Sequence, residues 1–172
     1  MRDKEMFWRE EFVKNSNYRI DESLRMIKTS WKKLDEEEIW KKPNESSNSM
    51  GNLILHLCGN IRQYITSSLG GKDDIRLREA EFAESGGLSK SQLIDQLEDV
   101  IEDAKEVISK SSDKEFLSMR EVQGFRLSGI GIVIHVVEHL SYHTGQIAFW
   151  TKNLKNTDLG FYDGMDLNIK NN

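Results

Sequence analysis

The sequence predicts an all-α protein built as a four-helix bundle, and three observations predict it. Apolar residues recur at alternating spacings of three and four along four long stretches, the period of helices that bury one face. A single proline, Pro43, leaves the rest of the chain free to form long helices. Ser, Asn and paired Gly residues fall between the periodic stretches, where turns and helix ends are expected. At 172 residues the chain fits one domain with a sizeable core. The expected layout is a single domain over residues 1–172, with an ordered core over about 5–154 and a polar tail over about 155–172.

The first helix is expected from about Phe7 to Leu34, with Ile20, Leu24, Ile27, Trp31 and Leu34 on its apolar face. LDEEEIWKKPNESSNS follows as a short helical turn and a loop, because Pro43 and the Asn/Ser cluster favour turns. The second helix is expected from about Ser49 to Leu69, with Met50, Leu53, Ile54, Leu57, Ile61 and Ile65 as its stripe and Gly70–Gly71 as its stop. At about 100° per residue, His56 falls on a polar strip with Asn52, Asn60 and Gln63 beside that stripe.

Gly70 to Leu88 has no clear period and reads as a long ordered loop or a short helix within one. Loops of this kind tend to carry function, although charged ones are often only solvated connections. Its notable residues are Arg76, Arg78, Glu79 and Glu81. The third helix follows a capping box of Ser89 and Gln92, with Leu93, Ile94, Leu97, Val100, Ile101, Ala104, Val107 and Ile108 in period. SSDKEFLSMREVQGFRLS is expected as an irregular crossing to a fourth helix that starts near Ser128, a good N-cap. The tail after Leu154 is expected to be extended and partly mobile.

Charge and composition exclude several function classes. The chain carries 24 Lys+Arg against 29 Asp+Glu and no basic stripe, so nucleic acid is not an expected partner. The charged start, MRDKEMFWREEF, lacks the apolar region of a signal peptide, and no stretch is apolar for the roughly 20 residues a membrane span needs. The expectation is a cytoplasmic protein with no membrane partner. One cysteine, Cys58, excludes an intrachain disulfide framework and CxxC zinc sites, leaving His and carboxylates as metal ligands. Cys58 lies two residues after His56, about 200° away on the helix, so it is expected to pack as a small hydrophobe.

Three of the four histidines, His135, His139 and His143, stand four residues apart in GIVIHVVEHLSYHTGQIAFW, on one helical stripe. Four residues rise about 6 Å, and metal–nitrogen bonds are about 2.0–2.1 Å. One ion can therefore bridge neighbours in this series but not His135 with His143. Either His135 with His139 or His139 with His143 supplies two ligands, and burial favours the second. His143 falls inside the apolar face of Ile132, Val133, Val136, Leu140 and Ile147, His139 at its edge and His135 further out.

His56 would add a third ligand from the second helix. Three protein ligands with open positions is the pattern of a catalytic centre. Gln146 and Tyr142 are then placed to support a ligand or touch substrate, and His135 to do either. Lone histidines on apolar edges are usually hydrogen-bonded core residues, but here every histidine in the chain lies on a core-edge stripe. His135 to His139 also matches the HxxEH pattern of inverted zinc peptidases, with Glu138 as general base. That pattern leaves His143 and His56 idle and lacks an identifiable acidic ligand.

The run HVVEHLSYHTGQI, Trp150 shortly after it, and GNLILHLCGNIRQY around His56 resemble the DinB/YfiT-like metalloenzyme superfamily over nearly the whole chain. The resemblance implies a bundle in up-down-down-up order and a divalent metal held by His56, His139 and His143, with no fixed counterpart for His135 among the ligands. Its members are often dimeric, which makes a homodimer one option. Characterised relatives include bacillithiol S-transferases and a mycothiol-dependent isomerase.

The expected function is therefore metal-assisted transfer of a low-molecular-weight thiol, the cosubstrate, to a small-molecule electrophile. Three imidazoles suit several first-row ions and do not distinguish among Zn, Ni, Co and Fe. His135, Glu138 and Gln146 are the catalytic candidates, while Arg76 or Arg78, with Tyr142, would bind the thiol cosubstrate, Arg pairing with its carboxylates. The alternatives are a metal-dependent hydrolase, with Glu138 or His135 as base, and a non-catalytic metal-binding bundle.

Overall fold

The structure is a computed structural model that describes residues 2–171, with side chains from residue 7 onward. Its helices are α1 (Arg2–Lys32), α2 (Met50–Ile61), α3 (Arg78–Ala83), α4 (Lys90–Lys110), α5 (Asp113–Leu117) and α6 (Gly129–Lys155). Two short strands, β1 (Met119–Val122) and β2 (Phe125–Ser128), pair antiparallel ahead of α6. No helix among the described residues is long and apolar enough to cross a membrane.

The bundle consists of α1, α2, α4 and α6. Helix α1 packs on α4 and α6, and α2 packs on the same two from the other side. The apolar stripes meet in one core, where Ile20, Ile27, Leu57, Ile61, Leu93, Leu97, Ile132 and Leu140 are each almost wholly buried. Burying such a side chain contributes about 1.5–3 kcal/mol, which explains why residues at helical spacing dictate the architecture. Helices α2 and α6 run antiparallel: Asn60 meets His135, His56 meets His139, and Met50 meets Thr151.

Serines set the helix starts. Ser49, Ser89 and Ser112 each accept a backbone N–H three residues on and form capping boxes, and Ser128 accepts from Gly131. These oxygens satisfy amides that a helix start leaves unpaired.

Three expectations need correction. Helix two does not stay regular: after Ile61 it continues as a π-helical stretch over Arg62–Leu69, where the Gly70 amide reaches the Ile65 carbonyl, five residues back, at 2.8 Å. The crossing after α4 is ordered, as the single-turn helix α5 and the β1–β2 hairpin. Gln123 (φ 49°) and Gly124 (φ 79°) both take left-handed conformations at its tip, the geometry of a tight two-residue hairpin turn. Over Gly70–Leu88 the chain holds the short helix α3, the second of the two forms expected there. The tail folds into turns instead of extending: Leu159 is buried, and the Phe161 carbonyl accepts from Arg25 at 3.2 Å.

Candidate metal centre

Helix α6 presents its histidines across the groove it shares with α2. His56 and His143 are buried, while His139 and His135 are partly exposed. The Nε2 atom of His139 lies 3.1 Å from Nε2 of His56 and 3.2 Å from Nε2 of His143. His56, His139 and His143 form one group whose ligand atoms all lie within 4.8 Å of one another. Nitrogens bound to one ion at about 2.0–2.1 Å sit about 2.9–3.3 Å apart, so the two short separations already match.

The far side of each outer ring is held in place. Nδ1 of His56 is 3.0 Å from Oε2 of Glu81, and Nδ1 of His143 is 2.8 Å from Oε1 of Gln146. The Gln146 oxygen only accepts, which places the His143 ring proton on Nδ1 and its lone pair on Nε2, whereas Nδ1 of His56 faces both the accepting Glu81 oxygen and, at 3.1 Å, the donating Nη2 of Arg76. His139 has one proton at most to share between the two facing nitrogens, and its own Nδ1 is buried without a partner. Converging imidazole nitrogens are what a cation satisfies, so the donor set fits a divalent metal.

The local electrostatics favour neutral imidazoles, the metal-binding form. Burial, reinforced by the neighbouring His143, His56 and His135, pushes the His139 pKa down to about 3. Burial also lowers His143, against the opposing pull of its Gln146 hydrogen bond. His135 is lowered by burial as well.

Behind His56 stands a charged pair from the Gly70–Leu88 segment. Arg76 donates from Nε to Oε1 of Glu81 at 2.7 Å and from Nη2 to Oε2 at 2.9 Å, a two-pronged contact. Nη1 donates to Gln63 at 2.9 Å. Burial works to raise the Glu81 carboxyl, but hydrogen bonds from Arg76 and His56, aided by their charges, hold it below the ordinary carboxylate value. Asn52 secures the backbone of this segment, donating to the carbonyls of Glu81 at 3.0 Å and Glu84 at 2.7 Å. Gly59 permits the close approach, since a Cβ there would lie 1.9 Å from Oε1 of Glu81 and 2.9 Å from Nε of Arg76.

The other expected site residues are distributed around this centre. Arg76 is committed to Glu81 and Gln63 rather than open to a cosubstrate. Arg78 is exposed and lies 4.9 Å over the ring of Phe82, which in turn packs on His56 at 4.8 Å. Tyr142 is 63% exposed, with its ring edge-on to His143. His135, Glu138, His139, Ser141 and Tyr142 line an opening on the α6 side of the centre. His135 stacks on Tyr64 at 4.1 Å and places Nε2 3.4 Å from Nδ2 of Asn60. Cys58 is fully buried and its thiol is pushed up to about 12 by that burial, which makes it inert.

Sequence reasoning named Glu81 without a role and missed Phe82, Tyr64 and Gly59 altogether. Tyr64 is brought to His135 by the π-helical stretch, and its hydroxyl donates to Gln123 of the hairpin tip at 3.0 Å. The available signal for Glu81 was a buried-type His on a polar strip facing a charged, glycine-bounded loop.

Comparison with known proteins agrees with this architecture. No curated protein matches the chain. A DinB-like protein from Bacillus subtilis superposes with a TM-score of 0.65 at 14% identity, covering 88% of this chain and 96% of that one. One from Bacillus cereus gives 0.65 at 17% identity, covering 87% and 94%. The mycothiol-dependent maleylpyruvate isomerase gives 0.64 at 14% identity, covering 81% of this chain and 60% of the isomerase. The family described as "Protein of unknown function (DUF1572)" matches residues 8–162. With nearly the whole bundle inside that match, the chain belongs to the DUF1572 family, and it shares its fold with DinB-like proteins.

Proposed function

We propose that this protein is a divalent-metal-dependent enzyme that transfers a low-molecular-weight thiol to a small electrophile, with His56, His139 and His143 as the metal ligands. One observation carries the reading: three Nε2 atoms converge, two of them fixed from behind by Glu81 and Gln146. A divalent ion held there supplies the positive charge that lowers the pKa of an adjacent thiol, giving a nucleophile at neutral pH. The fold shared with a mycothiol-dependent isomerase supports thiol chemistry over other uses of such an ion.

The chain's own residues do the rest. Gln146 holds the ring of His143 in the tautomer that turns its Nε2 lone pair inward, and Glu81 holds the ring of His56 from behind. Arg76 keeps Glu81 ionised and in place. Arg78, exposed beside Phe82, is the guanidinium on this segment that a cosubstrate carboxylate can reach. His135 and Glu138, at the opening, are placed to move protons for an incoming substrate.

A second reading rests on the same two residues. With Glu138 and His135 beside the centre, water could serve as nucleophile and the enzyme would be a hydrolase. Incubating the metal-loaded protein with cysteine-based thiols and a chlorodinitrobenzene electrophile separates the readings. Thiol conjugate formed faster than in the metal-free protein supports transfer, whereas turnover of an ester substrate without any thiol contradicts it.

A further inference from the structure

Helix α6 turns one face to the core and carries the histidines on the flank beside it, while its outer face is left open. Glu138, Ser141, Tyr142, Gly145, Phe149 and Lys152 are exposed there, and at roughly 100° per residue all six lie within about 60° of the Gly145 direction. Tyr142 is 63% and Phe149 71% exposed, so two large rings stand in solvent two helical turns apart on one strip. Gly145 sits between them in the interior of the helix, where glycine is less stable than alanine. A Cβ there would meet nothing within 4 Å, so nothing inside the chain requires the glycine.

The strip is complementary to itself about Gly145. Two copies of a helix packed antiparallel about a two-fold axis at Gly145 bring together residues that stand equally far before and after it. Seven positions out, Glu138 meets Lys152 of the second copy; four out, Ser141 meets Phe149; three out, Tyr142 meets Ala148. Each match sets opposite charges or a large side chain against a small one, and on the axis glycine meets glycine, which lets the two backbones approach closely. Lys152 otherwise reaches only the exposed Asp158, at 3.8 Å, a long contact that a nearer carboxylate can replace.

We infer that this face of α6 docks a second copy of the chain, antiparallel across Gly145, and that the second copy completes the mouth of the histidine centre. Glu138, Ser141 and Tyr142 line that opening together with His135 and His139, so the docked copy sets its Lys152, Phe149 and Ala148 along the rim. The opening thereby gains an aromatic wall and a cation from across the axis, once for each copy. A partner of another kind would require none of these matched distances from Gly145. The interface does not depend on the metal or on the reaction proposed above.

The test is disulfide trapping in the whole, tag-free chain with a chelator present, so that metal binding plays no part. Cys58 is the sole cysteine and is buried, which leaves an introduced thiol to report alone. Oxidised Gly145→Cys should form a covalent dimer, because a residue on the axis faces its own copy. Asn153→Cys, exposed on the same helix but off the strip, should stay a single chain on a denaturing gel. Equilibrium sedimentation gives a second readout that needs no new cysteine: the wild type should have twice the mass of the chain. Glu138→Lys and Lys152→Glu should each weaken the dimer roughly tenfold or more by setting like charges face to face, and the double exchange should restore it. A monomeric wild type, no cross-link in Gly145→Cys that keeps its helical circular dichroism, trapping of Asn153→Cys as full as that of Gly145→Cys, or a dimer indifferent to both charge reversals overturns the proposal.

Discussion

His139 occupies the centre of the cluster, with an imidazole nitrogen of His56 on one side and of His143 on the other. Burial and these neighbours hold its pKa near about 3, against an ordinary value of 6.5, and His143 and His135 are lowered in the same direction. In the unfolded chain these rings take up protons near 6.5, while in the folded chain they do so only at lower pH. Their contribution to stability is thus complete above pH 6.5 and is lost as the pH falls below it, that of His139 toward about 3. Glu81, held below 4.5, adds a loss of its own only beneath that value. Urea unfolding of chelator-treated protein should show stability falling steadily from pH 7 to pH 5; a flat or rising profile would contradict the burial of neutral histidines. At this scale the sequence was informative about ligand candidates, because helical rise separates His135 from His143. It singled out Glu81 and Arg76 but not their place behind His56, since nothing local links a carboxylate to a histidine 25 positions earlier.

Among the elements, the Gly70–Leu88 segment decides how rigid the centre is. It places Glu81 and Arg76 against α2 at Gly59, where only a missing Cβ leaves room for the carboxylate. Gly59→Ala gains about 1 kcal/mol of helix propensity, yet it should weaken metal binding by displacing Glu81 from His56. Glu81→Gln should lower metal affinity by roughly 10- to 100-fold, the usual effect of losing the group behind a metal-bound histidine. Competition with a chromophoric chelator measures both, and circular dichroism checks that the helices persist; unchanged affinity in both variants would remove the segment from the site.

The regular helices of the bundle were legible because their apolar residues repeat at one fixed period. The π-helical stretch was not, because it changes that period midway, and the hairpin was not, because four-residue strands around Gln123–Gly124 give too few alternations to register. Both irregular elements converge on Tyr64 and thereby on the face of His135. The expected irregular crossing is thus an ordered support for the groove.

On the scale of the molecule, the bundle joins two antiparallel helices so that a turn of α2 faces two turns of α6. The core gives the rings fixed positions, and the Gly70–Leu88 segment fixes one of them from behind. Ligand assignment is the claim on which the rest depends. The most direct measurement is calorimetric titration of zinc into tag-free wild type, His143→Ala and His135→Ala protein. The account predicts one tight equivalent for the wild type, its loss in His143→Ala, and its near-complete retention in His135→Ala. Retention in His143→Ala with loss in His135→Ala would contradict it and point instead to the HxxEH pair of His135 and His139.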